Sequence, residues 1–119
     1  MKLRTLVLFI SIILFASFAN AGKLTQQQYD SYIDEYVNKS KIYQDRVNQA
    51  KAINHMPNMA KNTCELLKLN KEFAKISGEN KNLRDAREAE KLSNQLVNQI
   101  IEILKKQELT EYRICNWGK

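Results

Sequence analysis

The sequence predicts an all-α protein: a three-helix up-down-up antiparallel bundle with a C-terminal tail stapled to it by one disulfide. Three observations predict it. Helix breakers are scarce, with one proline (Pro57) and three glycines in 119 residues. The stretches between them are rich in Lys, Glu, Gln, Leu and Ala, which lose little side-chain freedom in a helix. Apolar residues recur at spacings of three and four, so the helical period is present and strand alternation is not.

The chain opens with a segment that does not belong to the bundle. Lys2 and Arg4 precede an uncharged run from Leu6 to Phe18, and Ala19-Asn20-Ala21 supplies a small-x-small cleavage pattern. As a helix the run reaches about 20 Å at 1.5 Å per residue, short of the roughly 30 Å of a bilayer core. Residues 1–21 are therefore expected to be a cleavable signal peptide, leaving 22–119 as a single helical domain with no membrane span, periplasmic or secreted. Removing Lys2 and Arg4 lowers the formal charge from +6 to +4.

Helix one is expected to begin near Thr25, where Thr25-x-x-Gln28 fits a capping box and Leu24 and Tyr29 fit a hydrophobic staple. Tyr29, Ile33, Tyr36, Ser40, Tyr43, Val47, Ala50 and Asn54 then form one face, with Tyr32 and Val37 on its flanks. Pro57 marks the end of this pattern. Helix two is expected from about Asn58 to Ser77, stopped by Gly78, with an apolar arc of Met59, Thr63, Leu66, Leu67, Leu69, Phe73 and Ile76. Helix three runs from about Asn80 or Asn82 to Gln107, its inner side being Leu83, Ala86, Ala89, Leu92, Leu96, Ile100, Ile103 and Leu104. Val97 and Ile101 widen that stripe. Short connections favour antiparallel neighbours.

Cys64 and Cys115 are the only cysteines, and in an oxidising compartment two thiols read as one disulfide. At 100° per residue Cys64 falls off the apolar arc, among Lys61, Lys68, Lys71 and Lys75. The tail must then cross the outer side of helix two. Eight residues from Glu108 to Cys115 span about 26 Å when extended, enough for the return.

Three constellations carry candidate chemistry. His55, Met56 and Met59 are soft ligands of the kind that hold Cu(I), beside the plainer reading of a structural loop with no metal or cofactor. Tyr32 and Tyr36 on helix one, with Arg113 and Trp117 in the tail, are residue types enriched at protein interfaces, beside a role in the core or in capping the bundle end. Lys61, Lys68, Lys71 and Lys75 could meet an anionic envelope surface or polymer, beside the reading of a solvated face. Catalysis finds no footing: there is one histidine, no serine-centred glycine elbow, no phosphate loop and no carboxylate pair set apart. Nucleic acid is not expected as a partner, since no binding motif is present. The expectation is a non-enzymatic helical module that binds another exported protein as an inhibitor, immunity or accessory factor. A binder of an anionic envelope component is the alternative, and a Cu(I) carrier the further one.

Overall fold

A computed structural model describes residues 23–119. The expected signal peptide, 1–21, lies outside the described residues. Four helices follow in order: α1 (Gln26–Ala52), α2 (Met56–Glu79), α3 (Ala86–Lys106) and a short α4 (Glu111–Cys115). The first three are the long helices of the expected antiparallel arrangement, and a disulfide ties the tail.

The capping box forms at Thr25. Its Oγ1 accepts from the Gln28 backbone N–H (3.2 Å), and the Gln28 side chain accepts from the Thr25 N–H (2.9 Å). α1 ends in a left-handed turn at Asn54 (φ 53°), with His55 N–H bonded to the Ala50 carbonyl and Asn54 N–H to that of Lys51. These are the two bonds of a Schellman motif, and Asn is a residue that tolerates this conformation. Asn54 is therefore an exposed turn residue rather than the last member of the apolar face.

Two helix boundaries differ from expectation. Pro57 opens α2 instead of closing α1, because in the first turn a missing N–H costs nothing and the fixed φ is already helical. Gly78 lies inside α2, which continues to Glu79. A Cβ at that position would sit 3.1 Å from the Glu90 carboxyl carbon, so the glycine lets that side chain lie close against α2 and does not stop the helix.

α3 starts several turn residues later than expected, at Ala86. Residues 80–85 instead form a turn laced to the start of α1. The Leu24 N–H donates to Asn80 Oδ1 (2.7 Å), the Arg84 N–H to Gln26 Oε1 (2.8 Å), and the Arg84 guanidinium to Asp30 (3.1 Å). α3 ends in a second Schellman motif: Leu109 N–H reaches the Leu104 carbonyl and Glu108 N–H that of Lys105. Here the left-handed position is taken by Glu108 (φ 57°), which has no local reason to favour it.

α2 is the axis of the structure, with α1 and α3 packed on different sides of it and α4 on a third. Two cores result. The first joins Tyr29 to Phe73, Ile76 and Ala86, with Leu24, Tyr32, Ile33, Tyr36, Leu83 and Ala89 around them. The second joins Ala60, Cys64 and Leu67 to Val97, Leu104 and Ile114, flanked by Leu109 and Trp117, and takes nothing from α1.

This corrects the placement of Cys64. It is 4% exposed and belongs to the second core, because neighbours on three sides bury a sector of α2 far wider than its apolar arc. The tail does cross the lysine-bearing side, as the bridge requires. There Cys64 bonds Cys115, and Lys71 pairs with Glu111 at 2.5 Å. α3 is corrected too. Leu92 and Ile103, expected inside, are 54% and 56% exposed, since the small residues Ala86 and Ser93 lie on its buried side.

Candidate functional site: an apolar groove between α1 and α3

Because α1 and α3 both lean on α2, a groove of about 560 Å³ is left between them. Its floor is Phe73 and Tyr36, its α1 wall Ile33 and Val37, and its α3 wall Leu92 and Leu96. At one end the carboxylates of Asp85 and Glu88 stand at the lip.

The floor is rigid for identifiable reasons. The Tyr36 ring stacks on Phe73 with centroids 4.0 Å apart and planes 13° from parallel. Tyr29 stacks on the same ring at 6.3 Å, and Tyr32 leans on it at 5.7 Å. The Tyr36 hydroxyl donates to Asn70 Oδ1 (2.5 Å), while the Asn70 amide donates back to the Leu66 carbonyl one turn earlier (2.8 Å). Tyr29 and Ser77 share a hydrogen bond of 2.6 Å. No buried side-chain N or O among the described residues lacks a partner, so Asn70 and Ser77 cost little where they lie and fix the azimuth of α1 on α2. Burial raises the phenol pKa of Tyr29, Tyr32 and Tyr36. The rise is eased by the Ser77 hydroxyl at Tyr29 and by Ser93 and Ser40 at Tyr36, and the nearby Glu72 adds to it at Tyr32.

The interface candidates read from the sequence are dispersed. Tyr36 belongs to the groove. Tyr32 sits about 140° around α1 from Val37, on the side away from it. Trp117 packs against the second core, and Arg113 is exposed on the short α4. Of the lysines, Lys71 is held by Glu111, while Lys61, Lys68 and Lys75 are exposed on a sector they share with Glu65, Glu72 and Glu79. His55 Nδ1 accepts from the Asn58 N–H (3.2 Å) and so caps α2. Met56 is exposed and Met59 half-buried. Among the described residues no three His, Cys, Asp or Glu side chains cluster as metal ligands.

Leu92 and Leu96, expected on the inner side of α3, line the groove, as does Ile33, which also packs against the first core. A signal for them existed. The apolar band of α3 from Leu92 round to Ile101 covers about 180°, more than a single helix neighbour can bury.

No helix of the described residues is long and apolar enough to cross a membrane. Comparison with protein-family models, curated proteins and solved structures finds no match in any of the three.

Proposed function

We propose that the chain is an exported helical protein-binding module, periplasmic or secreted, that docks a helix of its partner in the α1–α3 groove. The observation that carries this reading is the uncovered apolar channel itself: Ile33 and Val37 face Leu92 and Leu96 across a floor of stacked aromatic rings. Two helices sharing a third as their base lack only a fourth to close a bundle, and an amphipathic helix laid in such a channel is a recurring recognition mode. The rigid floor means little ordering entropy is lost on binding. Asp85 and Glu88 at one lip favour a helix carrying a basic residue at the end that meets them. The leader-like segment 1–21 and the Cys64–Cys115 bridge support an oxidising compartment.

The test places a photo-crosslinking side chain at Val37, at Leu92 and, as control, at Arg113, in the protein expressed in its host. The reading expects the same protein adduct, identified by mass spectrometry, from both groove positions and not from Arg113. It expects Leu92→Asp to abolish the Val37 adduct. Adducts equally strong at Arg113, or none at the groove, would overturn it.

A further inference from the structure

We propose that the helix filling the groove in the free protein is α3 of a second copy, in a two-fold antiparallel dimer. This rests on the groove being a docking surface and names its occupant. The uncovered face of α3 runs Leu92, Leu96, Gln99, Ile103, at spacings of four, three and four, the repeat of a helix-pair seam. The run is palindromic about the junction of Val97 and Asn98. With a two-fold axis there, Leu92 meets Ile103 of the second copy and Leu96 meets Gln99, each contact occurring twice.

The charges are centred within half a residue of the same point. Glu88 and Lys106 lie eighteen residues apart, about five full turns, so both stand on one line of α3, and their midpoint is Val97. Both are exposed, and neither makes an ion pair among the described residues. In the antiparallel dimer Glu88 faces Lys106 of the second copy on both sides of the axis. A parallel pairing would put the two copies of this flank on opposite sides of the seam, leaving Glu88 and Lys106 without each other, so charge selects the antiparallel form. The groove agrees with this direction. Ile103 of the second copy seats between Leu92 and Val37 over Phe73, and its Lys106 arrives at the acidic lip of Asp85 and Glu88.

Sedimentation equilibrium of the exported, disulfide-bonded protein tests the arrangement. The wild type is expected to be a concentration-dependent dimer. E88K and K106E should each weaken it about tenfold, and the double reversal E88K/K106E should restore most of the loss. Leu92→Asp should give a monomer with unchanged helical circular dichroism, because Leu92 is half-exposed and outside both cores. A monomer at every concentration overturns the proposal, and so does a dimer indifferent to the charge reversals or not rescued by their combination. A monomer that still gives a groove-specific adduct with another protein overturns the dimer alone. Absence of both dimer and adduct overturns the docking surface as well.

Discussion

Replacing Phe73 with Ala is expected to destabilise the protein by about 4 kcal/mol. Phe73 is 4% exposed, and its ring is the surface on which Tyr29, Tyr32 and Tyr36 all rest, at 6.3, 5.7 and 4.0 Å. Truncating a buried Phe typically costs about 3–5 kcal/mol in transfer and cavity terms. Each aromatic pair adds about 0.5–1.5 kcal/mol beyond burial, which argues for the upper half of that range. Against this, the site borders an open groove, so Tyr36 can settle into the vacated space. The two effects offset, leaving the middle of the range. Urea unfolding followed by far-ultraviolet circular dichroism measures the loss directly, with Leu92→Ala as the matched control. Leu92 is half-exposed in the single chain, so at dilutions where the protein is monomeric its truncation should cost less than about 1 kcal/mol. If Phe73→Ala costs under about 1.5 kcal/mol, or no more than Leu92→Ala, the aromatic stack is not what holds α1 to α2, and the account of a rigid floor fails.

The disulfide closes a sequence separation of 51 residues, so C64A/C115A should lose about 4 kcal/mol in the chain-entropy account. Equal urea midpoints for the bridged protein and the double variant would refute that. Burial holds the phenols of Tyr29, Tyr32 and Tyr36 above their ordinary value of 10.0, so their contribution is complete below that pH. It should fade as pH rises past 10, because the unfolded chain then releases protons that the fold retains. A melting series from pH 8 to 11 should show a decline that Tyr29→Phe and Tyr32→Phe flatten, and a flat wild-type profile would contradict it. Glu108 occupies a left-handed turn that glycine adopts freely, so Glu108→Gly should raise stability by about 0.5–1 kcal/mol. A drop in the urea midpoint would show instead that the Glu108 side chain contributes an interaction there.

α1 was legible in the sequence because it buries one face, mostly against α2. Tyr29, Ser40 and Ala50 lie buried along the line their spacing predicts. α2 was only partly legible, since a central helix is buried on most sides and much of what it buries is small or polar. Ala60, Cys64, Ala74, Asn70 and Ser77 give no hydrophobic signal, yet all are inside. That is why Cys64 looked peripheral. α3 misled in the opposite direction. Its large residues Leu92 and Ile103 suggested a core, while contact with α2 is made through Ala86, Ser93, Val97 and Leu104, and through the Glu90 side chain beside Gly78. The groove was therefore illegible as a site. α1 and α3 meet where Tyr29 packs with Ala86 and part beyond it, and that parting leaves Ile33, Val37, Leu92 and Leu96 lining a groove.

With α2 and α3 common to both cores and α1 confined to the first, cooperativity need not extend over the whole chain. The second core holds α2, α3 and the tail together across the covalent bridge, and α1 contributes nothing to it. Beyond Ser40, α1 buries only Ala50 fully, and Val47 and Tyr43 in part. Amide hydrogen exchange should accordingly divide the molecule into zones. Protection should approach the global value in α2 and the second half of α3, and be lower along α1, where a sub-global opening frees the helix while the rest stays folded. A helix clamped in the groove touches α1 and α3 at once, so its arrival should be recorded as slowed exchange throughout α1, including turns it never contacts.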